Sequence, residues 1–482
     1  MLKKSLVLMG VTAAFYLQAQ DISTIRNSID VYSNTPMVGS SKFNAMVGSN
    51  GALGGDATAL LTNPAGLGVA IAGDVSATLS ITDNKNTSTL AGSSVNYNIT
   101  KGNIGNASGV AAFQLMTESP WKFINLGASI STQSIENYVE TGGNTNVSIP
   151  KNLVDGSGNP VVGNLAYLGH AYNRYGTQTK FNLGVGANYN NSLYLGASLN
   201  MHYADLEQYD SANFGLDLDN TIYSFDKQYT PFSEKSNGFS ATLGVIGKIT
   251  NQLRLGASIE TPTWWNMDRI YTDYYTGTDG LIYLDHFTED RSFRSPMKAT
   301  FSGAFVPTKN FAINVDYTLG VTKPKYKVQG EAERELNSFF NDSYKNSSEI
   351  KVGAEYRIKA LRLRGGYSYA SSPFDAMTIS AYSNNGQAGD VNYSNLILGD
   401  RNTIGAGVGY DFGKFYIDAA YQNISSKYKN PFLNGNEVVN GNGDLISTGY
   451  YSGDFDVTNS TFVVSDVKNI RNNFFLTVGW KF

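Results

Sequence analysis

The last ten residues, Asn473 to Phe482, read NFFLTVGWKF and, except at Phe475, alternate between two kinds of side chain. One parity carries large apolar side chains and the other carries small or polar ones: Phe474, Leu476, Val478, Trp480 and Phe482 against Asn473, Thr477, Gly479 and Lys481. A period of two is typical of a β-strand whose faces meet different surroundings. The carboxyl terminus is therefore predicted to be a two-sided strand.

The same alternation recurs along the chain, for example at 253–259, 311–317 and 415–421. Short turns join such segments in pairs, at Asn190-Asn191, Thr250-Asn251, Thr308-Lys309, Lys359-Ala360 and Gly413-Lys414. Long polar connections separate the pairs, at roughly 138–175, 207–235, 265–292, 325–343, 372–398 and 428–469. Short turns at one end and long loops at the other are typical of an outer-membrane barrel. A secreted β-sandwich also alternates, but regular hairpins without domain linkers favour a single barrel.

Composition agrees with an aromatic-rich sheet protein. Of the 482 residues, 16% are charged and 12% aromatic, with 50 Gly and only 12 Pro. The chain contains no Cys, which excludes disulfides and thiolate metal sites. A net charge of −4 and a pI near 5.5 give no reason to expect nucleic acid as a partner.

The amino terminus has the layout of a secretory signal peptide. Lys3 and Lys4 precede an apolar run that ends near Leu17, and a small residue, Ala19, follows. We predict a signal peptide over residues 1–19, cut at Ala19 or Gln20. No later run is apolar and long enough for a transmembrane helix, so a membrane-embedded form has to be a barrel.

Strand counting predicts fourteen strands in the segment 71–482, because single-chain bacterial barrels have even numbers. This count treats residues 88–100 as part of the first external excursion. A fourteen-stranded barrel is wider than one whose interior side chains fill the lumen, so residues 20–70 are predicted to be a plug, or hatch. The predicted fold class is all-β: a fourteen-stranded antiparallel transmembrane β-barrel with an N-terminal lumenal hatch.

Within the predicted hatch, residues 54–68 read GGDATALLTNPAGLG. Asp56 is expected to cap a short helix at 57–61, and Pro64 moves Asn63 out of the helical region. So short a helix needs surrounding structure to persist, which suits a position inside a barrel. An ordinary capped helix leading into the first strand is the alternative.

This stretch resembles the FadL/TodX family, which transports long-chain fatty acids and aromatic hydrocarbons across Gram-negative outer membranes. The resemblance rests on Asp56 and on Asn63, Pro64, Ala65 and Gly66, placed between signal peptide and barrel. The terminal Trp480 and Phe482 also resemble the signal that the outer-membrane insertion machinery reads.

The resemblance implies a monomeric outer-membrane protein, surrounded by lipid, that takes up hydrophobic small molecules passively and is not an enzyme. External loops would capture the compound, a site in the lumen would hold it, and an opening in the wall would release it sideways. The family has a kink in the third strand beside that opening, and only Gly127 marks such a kink in 121–137. A general porin or a surface-exposed ligand-binding barrel is the alternative function.

The connection 265–292 holds more apolar side chains than solubility requires. Six of them are candidates for capturing a hydrophobic ligand: Tyr271, Tyr274, Tyr275, Leu281, Tyr283 and Phe287. Packing of loops on one another, or an aromatic girdle at Trp264 and Trp265, explains the same residues equally well.

Other chemistry finds little support in the sequence. The three histidines, His170, His202 and His286, show no metal-ligand spacing, so neither a metal nor a cofactor is expected. His202 shares a strand face with Ser192, Ser198 and Asn200, which makes an outer-membrane hydrolase the enzyme alternative. Four arginines occupy strand positions whose side chains are expected to face the lumen: Arg254, Arg357, Arg362 and Arg364. They either bind a carboxylate ligand or pair with Glu260 and Glu355 across strands.

Overall fold

The computed structural model describes residues 22–34, 36–116, 118–154, 160–218, 221–228, 231–276, 281–328, 331–433, 436–439, 445–449 and 461–482. The predicted signal peptide, residues 1–19, lies outside these described residues. Among them, no helix is both long and apolar enough to cross a membrane.

Helices are short, and all but one lie before the first strand. They are α1 (Ile22–Asp30), α2 (Ser41–Ala45), two 3₁₀ helices (Ala57–Leu61 and Pro64–Val69) and α3 (Glu331–Ser343). The strands are β1 (Asp74–Leu90), β2 (Ser93–Gln114), β3 (Trp121–Ser134), β4 (Asn137–Val154), β5 (Pro160–Tyr189), β6 (Leu193–Leu218), β7 (Thr221–Gln228), β8 (Phe232–Lys248), β9 (Leu253–Glu260), β10 (Trp264–Thr276), β11 (Ile282–Arg294), β12 (Lys298–Thr308), β13 (Phe311–Gly320), β14 (Lys325–Lys327), β15 (Ser348–Ile358), β16 (Leu361–Ala370), β17 (Met377–Tyr382), β18 (Ala388–Tyr393), β19 (Arg401–Asp411), β20 (Phe415–Leu433), β21 (Asn436–Val439), β22 (Leu445–Gly449) and β23 (Thr461–Lys481).

The sheet closes into a barrel because β1 pairs with β2 on one side and with β23 on the other. The wall has fourteen antiparallel positions. In order they are β1, β2, β3 with β4, β5, β6, β7 with β8, β9 with β10, β11 with β12, β13, β15, β16, β19, β20 and β23. The predicted fourteen-stranded antiparallel barrel is confirmed.

Alternating burial separates the two faces of the wall. On β23, Leu476 and Val478 are exposed on the outside, whereas Asn473 and Thr477 are buried inside. Outward apolar side chains form a belt around the barrel, including Leu79, Ile104, Leu126, Leu183, Leu199, Leu243, Leu255, Phe301, Ile404 and Val408. Such a belt suits lipid, in which only a closed sheet satisfies its own backbone groups.

Tight turns join the strands at one end, which we call the short-turn end. Asn190 and Asn191 have φ of 50° and 52°, the left-handed conformation that two-residue hairpin turns require. A turn of the same kind, Ala91-Gly92, joins β1 to β2 at the opposite end. Residues 88–100, which were expected to belong to the first external excursion, are strand on both sides of this turn, so the excursion is the tip of one long hairpin of β1 and β2.

Three predicted loops are largely strand. Residues 138–175, 207–235 and 265–292 form the upper parts of β4 to β8, β10 and β11, above the apolar belt. On β10, for example, the exposed side chains are a mixture, Trp264, Asn266, Asp268 and Ile270, so the apolar outer parity that identifies the lower strands in the sequence is missing.

Residues 22–34 and 36–70, which we call the amino-terminal segment, lie inside the barrel. α1 packs in the upper half among the strand extensions, and the two 3₁₀ helices pack beside β3, β5 and β6 near the short-turn end. Ile25, Ala45, Ala59 and Leu67 have no exposed surface. The short helices therefore draw their stability from the surrounding wall.

A large apolar cluster covers the upper end of the lumen. α1 contributes to it from inside, α3 and the strand extensions from around it, and aromatic side chains dominate. Its largest fully buried members include Trp265, Tyr167, Tyr172, Tyr326, Phe214, Phe293, Phe340, Phe374 and Phe432.

Candidate functional site

The motif at 54–68 folds into two capped 3₁₀ turns. The Asp56 side chain accepts a hydrogen bond from the Thr58 amide at 3.0 Å, which confirms the predicted N-cap. Asn63 caps the second turn by accepting from the Ala65 amide at 3.1 Å, with Pro64 in the first helical position. Each cap satisfies an amide that a helix start leaves without a partner.

Asn63 also joins the motif to the rest of the lumen. Its Nδ2 donates to the Gly51 carbonyl at 2.8 Å and to the Val245 carbonyl of β8 at 3.2 Å. The side chain is 1% exposed, so these bonds are shielded from water.

Wall glycines allow the backbone of the motif to approach closely. A Cβ at Gly196 of β6 would lie 2.3 Å from the Ala65 nitrogen, and a Cβ at Gly186 of β5 would lie 2.5 Å from the Gly68 nitrogen. Gly127, the residue that marked a possible kink, lies in a regularly paired part of β3, and its Cβ would lie 2.7 Å from Leu67. Gly127 is therefore a packing position and not the site of the bend.

An ion pair inside the amino-terminal segment joins the motif to α2. Lys42 Nζ lies 2.7 Å from Asp56 Oδ2. Burial alone would raise the pKa of Asp56, but the charge of Lys42 and hydrogen bonds from Thr58 outweigh it and hold that pKa below 3.8. The pair therefore remains ionised.

Three of the four lumen arginines near the short-turn end pair with protein carboxylates, two of them with Glu355 as expected, whereas Glu260 pairs with Lys180. Arg364 Nε and Arg357 Nε both donate to Glu355 at 2.6 Å. Arg364 also contacts Asp418 at 2.9 Å, and Arg254 donates to the Leu53 carbonyl at 3.1 Å. The remaining arginine, Arg362, pairs with Asp411 at 3.2 Å.

Arg174 of β5 anchors α1. Its Nη1 donates to Asn27 Oδ1 at 2.6 Å, its Nη2 pairs with Asp30, and its Nε donates to the Ile135 carbonyl at 2.7 Å. Burial raises the pKa of Asp30, but the nearby arginines, Arg174 foremost, outweigh this and lower it. One guanidinium thus joins α1 to the third wall strand at the point where β3 ends.

A second buried network joins Tyr32, just after α1, to β8 and β10. Arg269 Nε donates to Glu234 at 2.7 Å, and the Tyr32 hydroxyl donates to the other Glu234 oxygen at 2.5 Å. Trp265 packs edge-on against Tyr32, with ring centroids 4.9 Å apart, and its indole nitrogen donates to the Tyr32 carbonyl. Trp265 is therefore a core residue, whereas Trp264 is exposed.

The candidate capture residues do not form one surface. Tyr271 is buried, and its hydroxyl accepts from Arg291 at 2.7 Å. Phe287 packs against the apolar cluster, whereas Leu281 and Tyr283 are exposed, at 61% and 41%. The other two, Tyr274 and Tyr275, lie on β10, with side chains outside the described residues.

A cavity of about 270 Å³ lies between the amino-terminal segment and the wall. Its lining contains two more basic than acidic side chains: Lys180, Lys298, Lys351, Arg401 and Arg471 against Asp30, Glu260 and Glu349. Four of the basic groups have partners: Lys180 contacts Glu260 at 3.1 Å, Lys351 contacts Glu349 at 3.2 Å, Arg401 donates to the Asn34 carbonyl at 2.8 Å, and Lys298 donates to the Ser33 carbonyl at 2.5 Å. Sequence parity had indicated lumen arginines but had not brought these five together.

Arg471 differs from the other basic residues of the cavity. Among the described residues its guanidinium makes no hydrogen bond and no ion pair within 4 Å, and its favourable charge interaction is with Asp30. An arginine beside a cavity with unused donors is suited to bind an anionic group.

The third wall strand bends between β3 and β4, at Ile135-Glu136. β2 pairs with β3 only from Asn106 to Gln114, so its upper part, 93–105, has no strand partner on that side among the described residues. No Gly or Pro marks the bend, and the sequence therefore gave no signal for it. An opening in the hydrogen-bonded wall results between β2 and the third strand.

The serines and asparagines expected near His202 do not assemble a hydrolytic triad. His202 Nε2 lies 3.0 Å from Ser240 Oγ, and that hydroxyl donates to Glu260 at 3.2 Å, so the acid contacts the serine and not the imidazole. Ser198 donates to Asn200 instead. Among the described residues, no group of three or more His, Asp or Glu side chains is placed to hold a metal ion.

Several solved structures share this fold over nearly the whole chain. A FadL homologue of Pseudomonas aeruginosa matches with a TM-score of 0.53 at 12% identity, covering 92% of this chain and 98% of the other. The Pseudomonas putida toluene transporter TodX matches with a TM-score of 0.51 at 13% identity over 94% and 99%, and the Ralstonia pickettii toluene transporter TbuX with 0.50 at 14% over 94% and 99%.

No family model and no curated protein matches the sequence. The likeness is therefore one of fold: a plugged, fourteen-stranded outer-membrane β-barrel.

Proposed function

We propose that this protein takes up hydrophobic compounds passively across the outer membrane, as a monomer in which residues 20–70 form a hatch inside a barrel of residues 71–482. The observation that carries the proposal is the occupied lumen, in which a cavity of about 270 Å³ remains between the amino-terminal segment and the wall. A general porin needs a continuous water path, which such a segment interrupts. The transporters with the same fold, a FadL homologue and two toluene transporters, support the same reading.

Among hydrophobic compounds, we favour long-chain fatty acids over plain hydrocarbons. A carboxylate would use the unpaired donors of Arg471 and the positive charge of Lys298, whereas a hydrocarbon would leave both without a ligand. The excess of basic over acidic groups in the cavity has the sign that an anionic head group requires.

The proposed route begins at the upper end of β11, where Leu281, Tyr283 and Leu284 are exposed and capture the compound. The compound then reaches the cavity beside the amino-terminal segment. It leaves sideways into lipid through the opening above Asn106, where β2 has lost its pairing with the third strand.

We also retain the terminal aromatic signal as a proposal. Trp480 is exposed on the lipid side of β23, and Phe482 follows it at the end of the wall.

Binding of matched ligands to purified protein tests the function. We expect a double variant, Lys298→Gln with Arg471→Gln, to bind oleate about tenfold more weakly and to bind oleyl alcohol unchanged, because only the acid presents a charge. Lys427→Gln, which removes an exposed lysine on the outer face of β20, is the matched control and should bind both ligands normally.

Equal weakening for acid and alcohol would contradict a carboxylate site in the cavity. Steady ion conductance of the wild-type protein in planar bilayers would contradict the plugged transporter and favour a general porin.

A further inference from the structure

The upper part of the third strand has left the wall and lies inside it. On one side, β3 and β4 pair with β5 along nearly their whole length. On the other side the pairing with β2 stops at Asn106 and Ser131, and β4 packs across the lumen face of β1 instead. The carbonyl groups at the start of β4 therefore need partners other than β2.

Two asparagines of β1 supply those partners. Asn84 Nδ2 donates to the Glu136 carbonyl at 2.8 Å, and Asn86 Nδ2 donates to the Tyr138 carbonyl at 2.6 Å and to Asn137 Oδ1 at 2.8 Å. Both asparagines are buried, at 4% and 3% exposed. Their amides stand in for the backbone donors that an adjacent strand would provide.

Asn469 of β23 holds both asparagines in the orientation that this role requires. Its Nδ2 donates to Asn84 Oδ1 at 2.7 Å and to Asn86 Oδ1 at 2.8 Å. Because the amide oxygens are occupied, each Nδ2 points toward β4.

We propose that Asn84, Asn86 and Asn469 form a latch that holds β4 inward and so keeps the wall open between β2 and the third strand. The release of the latch would allow β4 to pair with β2 and close the wall. The transport consequence rests on the sideways route proposed above, whereas the latch itself is a property of the barrel.

The closed pairing needs little rearrangement of side chains. Continuing the register from Asn106 opposite Ser131 places Lys101 opposite Glu136. Lys101 Nζ already lies 3.3 Å from Glu136 Oε1, and the rings of Tyr97 and Tyr138 are 4.9 Å apart. The two edges thus lie side by side, and the latch decides between inward and closed positions.

Hydrogen exchange on the full-length protein in lipid nanodiscs tests the latch. In the wild type, amides of 93–105 that face the opening should exchange rapidly, because they lack a strand partner. In Asn84→Ala with Asn86→Ala, pairing with β4 should slow them by about tenfold or more. Asn473→Ala is the matched control, since this buried lumen asparagine bonds Gln422 and Thr82 and does not contact β4.

Unchanged or faster exchange at 93–105 in the double variant would overturn the latch. Exchange in β5, β19 and β20 reports on whether the variant barrel is intact. If those strands also exchange faster, the single variant Asn469→Ala is used instead, because it removes only the bonds that orient Asn84 and Asn86. Unchanged or faster exchange at 93–105 in that variant would likewise overturn the latch.

A reversible lock separates the latch from the proposed transport route. The chain has no Cys, so Gly102→Cys with Ile135→Cys introduces a single pair that is directly opposite only in the closed register. On the asparagine-variant background this pair should form a disulfide at least about tenfold faster than on the wild-type background. Equal rates would overturn the latch, whereas cross-linked protein that still takes up oleate would overturn only the sideways route.

Discussion

The side chain of Asn63 has two structural roles inside the lumen, as a helix cap and as a link to the wall. It caps the second 3₁₀ turn and bonds both Gly51 and the wall carbonyl of Val245, while being almost fully buried. Such an asparagine contributes to placing the segment as well as to starting a helix.

We expect Asn63→Ala to destabilise the amino-terminal segment by about 2–4 kcal/mol, because it removes the bond from the Ala65 amide and the bonds to the Gly51, Val245 and Ala257 carbonyls. Limited proteolysis of the segment in the intact barrel measures the effect. Asn96→Ala, an exposed asparagine on the outer part of β2, is the control. Equal protease resistance of the two variants would refute the anchoring role of Asn63.

Gly196 leaves no room for a side chain between β6 and the amino-terminal segment. Gly196→Val places atoms where the Pro64 and Ala65 backbone lies, so the segment has to move or the strand has to bend. We expect intermittent ion leakage in planar bilayers. Gly303→Val is the control, because a Cβ there meets only Leu255 at 3.9 Å. Sealed Gly196→Val barrels would show that the close approach is dispensable.

At the scale of elements, Arg174 is one of the buried groups that hold α1, and its guanidinium also reaches the third strand. Arg174→Ala removes the contacts to Asn27, Asp30 and the Ile135 carbonyl, leaving buried partners without donors. We expect hydrogen exchange in 22–30 to accelerate by about tenfold or more.

The variant Arg174→Lys tests whether the positive charge of Arg174 or the planar geometry of its guanidinium holds α1. Lysine retains the ion pair with Asp30 but lacks the planar fork that serves three acceptors, so intermediate protection is expected. Identical exchange in the wild type and both variants would show that packing in the apolar cluster, and not Arg174, holds α1.

The strands themselves differ in how far the sequence predicts them. Lower segments such as β9, β13 and β23 alternate between lipid and a polar lumen, and their parity identified them. Upper segments such as β10 expose a mixture of polar and apolar side chains, so no apolar outer parity distinguishes them from polar loops. The same reason hides the bend at Ile135-Glu136, which depends on partners in β1 and β5 and not on a local Gly or Pro.

At the scale of the whole molecule, we expect the wall to insert into the membrane by itself and the amino-terminal segment to close its lumen. Deletion of residues 22–70 removes the contents of the lumen while leaving the strands and their pairing in place. We expect the truncated protein to insert and to conduct ions steadily, whereas the full-length protein stays closed. Planar-bilayer recordings check this, and a truncated barrel that remains sealed would contradict the hatch.

Only part of the candidate site could be predicted from the sequence. The cap at Asp56 and the break at Asn63-Pro64 were predictable, because capping and proline geometry are local. The pairing of Lys42 with Asp56, and the gathering of Lys298, Arg401 and Arg471 around one cavity, were not.

The sequence by itself determined the class of architecture: a period of two with tight turns makes strands, and apolar outer faces with polar inner faces make a closed barrel in lipid. It also determined that a segment rich in small residues precedes the first strand. Only the tertiary structure decided which strand leaves the wall, which asparagines hold it and where the cavity forms. These features depend on contacts between residues far apart in the chain, such as Asn84 with Asn469, and no local pattern encodes which distant partners the closed sheet brings together.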